Sequence, residues 1–309
     1  MTIGILGPGA VGTYLAHAFA RNGHDVIVIG KESHVATIKD RGVVVVPMNE
    51  SVRSQTPVRV DAVAQLAEKV SLVFITVKGP HLVDSLHRID AGAVSDAVVI
   101  PLLNGIGHAE TVRSALGKRV AVGTIGAVEV SLQEPGIVIE LSKQTPHVDL
   151  ASDADIPLNQ LQEIATLLIS IGISASVEHS EAEVIWKKLT RLNAIASLTA
   201  LFQVPIGEIR EKEETRALLH SVVEETARVA QADGVSIDAT AVLQSIEQLP
   251  SGLTTSLQRD IRRNAESELD SITGGVLKKA REYGIPCPRL EEVYERLRVK
   301  TQSGITKTS

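Results

Sequence analysis

The chain has 309 residues, 44% of them hydrophobic and only 2% aromatic, with a formal net charge of −6. That length predicts two domains rather than one, with cores of Val, Ile, Leu and Ala, and so sheets of β-branched residues covered by Ala/Leu helices. The acidic balance and the lack of a basic run with interleaved aromatics argue against nucleic acid as a partner, while a local Lys/Arg cluster can still bind a small anion.

Taken in chain order, "TIGILG" is an apolar run ending in glycine and predicts a buried strand. "AVGTYLAHAFARNG" has helical periodicity and stops at the C-cap signal Asn22-Gly23. "DVIVIG" predicts a second strand, and "ESHVATIKDRG" a short helix closed by Gly42. "VSLVFITVKG" and "DAVVIPLLNG" are two more apolar strands. Strands alternating with helical stretches imply right-handed βαβ units and a parallel sheet. In "KRVAVGTIGAVEVSLQEPGIVIEL" turn residues rather than helices separate the β-prone runs, which predicts antiparallel strands added late to that sheet.

Near residue 178 the pattern turns helical and stays so. Candidate helices are "EAEVIWKKLTRLNAIASLTALF", ended by Pro205, and "EETRALLHSVVEETARVAQADG", closed by Gly234. "SLQRDIRRNAESELDSITGGVLKKAREYG" predicts one or two more, interrupted near Gly274-Gly275; "PRLEEVYERLRVK" is the last, and "TQSGITKTS" reads as a frayed tail. The architecture is therefore an α/β domain over 1–177 followed by an all-α domain over 178–309, an arrangement that leaves a cleft suited to a ligand. A long helix over 183–202 can pack against a second subunit as well as within one, so a homodimer is compatible with the pattern. The lone Cys287 lies between prolines in "IPCPRL"; it excludes an intrachain disulfide and reads as a small turn residue, not a nucleophile. No signal peptide or membrane-length apolar run is evident and no metal site is expected, so a soluble cytoplasmic protein is the expectation.

Gly7-Pro8-Gly9-Ala10-Val11-Gly12 follows a predicted strand and opens a predicted helix. In that setting Gly7 permits the tight turn, Gly9 the approach of a pyrophosphate, and Gly12 the packing of helix on strand, with the helix N-terminus facing the anion. The plainer alternative is a glycine-rich turn without a ligand. The second strand ends in "VIVIGKES". An NAD site usually carries Asp or Glu there; Gly30 offers no carboxylate to repel a 2′-phosphate, and Lys31 can attract one, so NADP(H) is the expected cofactor. Glu32 argues the other way if it turns in, and Lys31 as a solvated surface charge is the plain alternative.

Two further stretches fall at the C-terminal ends of predicted parallel strands, where open α/β sheets hold ligands. "FITVKGPH" carries Lys78 and "IPLLNGIGHAE" carries Asn104, although Asn-Gly alone is a turn signal. In "VIWKKLTRLNAIASLTALF", Leu192, Ile195 and Thr199 share a helical face with Lys188, while Lys187 points elsewhere. Such a lysine either snorkels or has a role; burial would lower its pKa and suit it to donate a proton. "TTSLQRDIRRNAESELDSITGG" brings Ser256, Asp260, Glu266, Glu268 and Asp270, most of which read as a solvated helix face.

Together these stretches resemble the ketopantoate reductase (2-dehydropantoate 2-reductase) family over nearly the whole length. They are "GPGAVG", "VKGPHLVDSL", "PLLNGIGHAE", "IWKKLTRLNAIASLTALF" and "TSLQRDIRRNAESELDSITGGVLKKAREYGIPCP", in that order. The resemblance implies a Rossmann-like domain plus a helical domain like the C-terminal one of 6-phosphogluconate dehydrogenase. It also implies NADPH-dependent reduction of a small anionic 2-oxo acid, ketopantoate to pantoate, in pantothenate biosynthesis. It puts the general-acid lysine on Lys188 and the active-site glutamate on Glu268. A second lysine, near cofactor and substrate, falls on Lys78, the asparagine of the "NG" segment on Asn104, and the substrate serine on Ser256. Cofactor contacts are implied for Gly7 to Gly12, Lys31, Lys78, Asn104 and Glu268.

The physical logic is that hydride addition builds negative charge on a carbonyl oxygen, which a lysine within hydrogen-bond reach stabilises. A neighbouring carboxylate can orient that lysine, neutral polar groups fix the substrate, and closure of the two domains would exclude water. One departure stands out. The family pattern has asparagines four and eight residues after the lysine, where this chain has Leu192 and Ala196. Asn193 is about 140° around the helix from Lys188 and cannot substitute without a bulge. The pocket is thereby more apolar, which opens two alternatives: a different 2-oxo acid, or an NADP(H)-responsive binding protein without catalysis.

Overall fold

The computed structural model describes residues 1–117, 119–153 and 156–305. The chain forms two compact units: Met1–Leu103 with His108–Val184, and Asn104–Gly107 with the chain from Ile185 onward.

The first unit opens with β1 (Thr2–Leu6), α1 (Ala10–Arg21), β2 (Asp25–Ile29), α2 (Glu32–Arg41), β3 (Val44–Val46) and β4 (Asp61–Val63). It continues with β5 (Leu72–Ile75), α3 (Leu82–Leu86), β6 (Val98–Pro101), α4 (His108–Leu116), β7 (Val122–Gly126) and β8 (Val130–Glu134), then β9 (Ile137–Glu140), β10 (His147–Ala151), α5 (Leu158–Ser170) and β11 (Ser174–Val177). A five-stranded parallel sheet has the order β4-β2-β1-β5-β6. The order reverses between β1 and β5, with β2 and β4 to one side and β6 to the other, and that switch point is where such sheets bind dinucleotides. Both faces of the sheet are covered, so its strands are continuous apolar runs. Ile3 and Ile5 of β1 pack with Leu15 and Phe19 of α1 in one core, and Phe19 stacks on Phe74 of β5 at 5.6 Å between ring centres.

The late β-prone region departs from expectation. Val120 bridges Val99 in parallel and carries the main sheet toward β7. There β10 pairs antiparallel with β7, and β11 parallel with β10. The β8–β9 hairpin leaves that sheet and pairs through β9 with β3. The buried run Val44–Val46 requires a partner, and Gly136, at φ 86° in the hairpin turn, gives its carbonyl to Val44 N–H at 2.7 Å.

After Val177 every element is helical: α6 (Glu181–Phe202), α7 (Ile206–Glu211), α8 (Glu213–Ala232), α9 (Ala239–Glu247), α10 (Ser256–Arg262), α11 (Leu269–Tyr283) and α12 (Pro288–Ile305). The expected interruption at Gly274-Gly275 is absent, and α11 runs straight through both. Those glycines serve packing: a Cβ at 274 would lie 3.2 Å from Tyr294 Oη, and one at 275 would lie 3.3 Å from Ile106 Cβ. The break lies earlier, between α10 and α11, where Asn264 takes φ 50°. The expected frayed tail is helical to Ile305; residues 306–309 lie outside the described residues.

Buried polar groups tie this second unit together. Asn193 donates to Thr226 Oγ1 at 3.0 Å and accepts from Thr273 Oγ1 at 2.9 Å, linking α6, α8 and α11. Asp233, at the end of α8, accepts from Trp186 Nε1 at 2.8 Å, from Lys279 Nζ at 3.3 Å and from the Tyr283 hydroxyl. Burial pushes the Asp233 carboxyl up, but the bonds from Tyr283 and Trp186 and the charge of Lys279 outweigh it and hold the group below its ordinary value. Cys287 is buried, and burial raises its thiol to about 11, which keeps it a poor nucleophile.

Candidate active site

In the first unit the loop after β1 is shaped by close packing at two of its three glycines. Gly7 has φ 102°, and a Cβ there would lie 2.5 Å from Val77 Cγ1. A Cβ at Gly12 would drive into the Gly7 carbonyl and lie 2.5 Å from Thr76 Oγ1. Thr76 Oγ1 in turn donates to the carbonyls of Leu6 and Gly7, at 3.1 and 2.8 Å. Gly9 differs, because a Cβ there would meet nothing within 4 Å. Among the described residues no packing requires that glycine; the open space in front of it is what a closely approaching pyrophosphate needs. Gly9 is also the N-cap of α1 and brings no side chain to the first-turn N–H groups, which leaves them for an anion. The donor set and the free space fit a dinucleotide.

Around this loop, Lys78 is exposed directly after Val77 and is the N-cap of a short 3₁₀ helix, Gly79–His81. The loop and Lys78 thus follow β1 and β5, the two strands that flank the reversal of sheet order. Lys31 is exposed at the N-cap of α2, and Glu32 begins that helix. An acid in a first turn is favoured by the helix dipole, which accounts for Glu32 without a ligand.

In the second unit three of the sequence candidates meet. Lys188 Nζ donates to Asn104 Oδ1 at 2.7 Å, and Asn104 Nδ2 donates to Glu268 Oε2 at 2.9 Å. Lysine can only donate and a carboxylate can only accept, so the amide orientation is determined by its neighbours. Both bonds are charge-assisted and polarise the amide in the same sense. All three side chains are half-buried. Lys188 lies on α6 and Glu268 sits at the N-cap of α11.

Asn104 is held there by a feature that sequence reasoning missed. Although it follows β6, it belongs to the helical unit. Ile106 N–H donates to the Ser271 carbonyl at 3.0 Å, and Ser271 Oγ lies 3.1 Å from the carbonyls of both Asn104 and Glu268. Gly105 has φ 105°, and a Cβ there would lie 2.8 Å from Ser271 Cβ. The Asn-Gly pair was the available signal; nothing local marks Ser271 as its partner.

Ser256 is exposed as the first residue of α10. Lys187 is exposed, Leu192 half-buried and Ala196 buried. Asn193 is committed to its core bonds and does not replace the missing asparagines.

The first unit thus carries a loop that fits a dinucleotide, and the helical unit joins lysine, asparagine and glutamate in one hydrogen-bonded chain. Comparison with known proteins shows the family. Residues 3–149 match the family described as Ketopantoate reductase PanE/ApbA, and residues 182–301 its C-terminal counterpart. The 2-dehydropantoate 2-reductase of Pyrococcus abyssi is 27% identical over 292 residues, covering 93% of this chain and 94% of that one. A PanE/ApbA family ketopantoate reductase from Ralstonia eutropha JMP134 superposes with a TM-score of 0.85 at 25% identity, over 98% of this chain and 99% of that one. D-mandelate dehydrogenase, in a ternary structure with NADH and anilino(oxo)acetate, shares the fold with a TM-score of 0.86 at 22% identity, over 98% and 99% of the two chains. The chain belongs to the ketopantoate reductase PanE/ApbA family. Among the described residues no helix is long and apolar enough to cross a membrane.

Proposed function

We propose that this protein reduces a 2-oxo acid to the 2-hydroxy acid with NADPH, and that ketopantoate, giving pantoate, is the first substrate to assign. The observation that carries the reading is the hydrogen-bonded chain Lys188–Asn104–Glu268. NADPH, when bound, supplies the hydride. The protein supplies everything else. The first-turn N–H groups of α1 and the space before Gly9 receive the pyrophosphate, and Lys31 pairs with the 2′-phosphate. Lys78 adds a positive charge beside the loop.

As the carbonyl carbon gains the hydride, its oxygen takes up negative charge. Lys188 Nζ donates a hydrogen bond to that oxygen and then its proton, yielding the alcohol and a neutral amine. Asn104 fixes the direction of the ammonium, and Glu268 acts on Lys188 through the Asn104 amide. Ser256 contributes a hydroxyl to hold the substrate. In the direction of oxidation the neutral amine takes the proton back.

A second reading of the substrate rests on Leu192 and Ala196. They put hydrocarbon where relatives with asparagines would offer amides, and a polar substrate group buried there without a hydrogen bond costs free energy. That favours a 2-oxo acid with an apolar side chain.

The test is NADPH consumption over 2-oxo acids graded in size and polarity, ketopantoate included, for the wild type and Lys188→Ala. Turnover that falls about 10²–10⁴-fold in the variant, with NADPH affinity kept, supports the reading. Tight NADPH binding without turnover of any 2-oxo acid would replace it with a non-catalytic binding protein.

A further inference from the structure

We propose that Pro8 determines the cofactor choice of this protein by keeping position 30 free of any side chain. The inference rests on the NADPH reading above and deepens it. Gly30 directly follows β2, where an NAD-binding sheet presents the acid that bonds the ribose hydroxyls. Its φ is not in the left-handed region, so its conformation does not call for glycine. The contact does: a Cβ at 30 would lie 2.7 Å from Pro8 Cγ and 2.8 Å from Pro8 Cδ.

Neither partner can give way. Gly30 N–H donates to the Val63 carbonyl at 3.1 Å, and its own carbonyl accepts from Arg88 Nη1 at 3.2 Å. Pro8 is a rigid ring rather than the far end of a flexible chain. Its loop is anchored by Gly7 N–H donating to the Ile29 carbonyl at 2.9 Å and by Gly7 packed on Val77. The ring thus occupies the place from which Asp or Glu would reach a ribose 2′-hydroxyl. With that acid excluded, the next residue, Lys31, presents a charge whose sign suits a 2′-phosphate, and the Arg88 guanidinium on the Gly30 carbonyl has the same sign. A residue of the phosphate loop therefore decides what the end of the second strand can read.

Two arms test this. The first needs no cofactor: thermal unfolding of wild type, Gly30→Ala, Pro8→Ala and the double variant. Gly30→Ala should lower the midpoint by about 2–8 °C in the wild-type background and by far less once Pro8 is Ala. Equal shifts in both backgrounds overturn the steric coupling. The second arm titrates NADH and NADPH into Gly30→Asp and Pro8→Ala/Gly30→Asp. The double variant should bind NADH at least 10-fold more tightly than Gly30→Asp and lose its preference for NADPH. An equal gain of NADH affinity by Gly30→Asp alone overturns the proposal. Wild type binding NADH more tightly than NADPH overturns the NADPH reading instead, and the cofactor-free arm keeps that failure distinct.

Discussion

The glycine loop and the Lys188–Asn104–Glu268 chain are built in opposite ways. The loop works by what it lacks: Gly7 and Gly12 let backbone and neighbouring side chains close up, and Gly9 leaves space. All of it lies within six consecutive residues. The chain works by side chains that meet across 84 and 164 positions of sequence. A loop defined by missing side chains tolerates almost no addition, whereas a chain defined by hydrogen bonds fails by deletion. The two should therefore respond to opposite kinds of substitution.

The largest effect is expected on the chain. Asn104→Ala removes both hydrogen bonds at once and leaves the Lys188 ammonium and the Glu268 carboxylate without their shared partner. Hydrogen bonds to charged groups contribute about 1.5–3 kcal/mol each, so kcat for the 2-oxo acid should fall about 10–100-fold or more. Steady-state kinetics against the wild type reads this directly. A variant with unchanged kcat would show that the chain holds the unit together but does not orient Lys188.

The next effect separates the glycines from one another. Gly12→Ala overpacks against the Gly7 carbonyl and Thr76 and should cost about 1–3 kcal/mol in urea unfolding. Gly9→Ala meets no protein atom and should change stability by less than about 0.5 kcal/mol. Dinucleotide affinity should nonetheless fall in both, because the methyl at position 9 projects into the space left for the pyrophosphate. If Gly9→Ala binds the dinucleotide as well as wild type, that space is not where the phosphates lie.

The same contrast accounts for what could be read without coordinates. A strand, a Gly-x-Gly-x-x-Gly turn, a helix and a second strand are local in sequence, and each leaves its own periodicity or turn residue; these elements appear where the pattern places them. Lys188 was legible as a lysine on an apolar stripe and is half-buried there. Less local features were not legible. Gly274-Gly275 carries the same signal as a helix break, and only the approach of Tyr294 and Ile106 shows that packing is the cause. The β8–β9 hairpin has the signature of any antiparallel pair; nothing in its own residues says that β3 is its neighbour. By residue pattern Glu268 was one acid among several in its stretch; the family resemblance singled it out, and the Asn104 amide shows what it touches.

The smallest expected effect tests how the chain itself is held in place. The Ser271 hydroxyl donates to the backbone carbonyls of Asn104 and Glu268, the two residues that complete the chain. It is a positioning residue. Ser271→Ala removes one neutral hydrogen bond worth about 1 kcal/mol, and the side chain is half-buried, so stability should fall by no more than that. Loss of the bond lets residues 104–107 shift on α11 and misdirects the Asn104 amide. A purely structural serine would lower the melting temperature and leave the kinetics of the folded fraction unchanged. A positioning serine lowers kcat about 3–10-fold at nearly unchanged KM, and Ser271→Thr, which keeps the hydroxyl, restores it. Equal kinetics in Ser271→Ala and wild type would mean that Gly105 and the Ile106 N–H alone hold Asn104 in register.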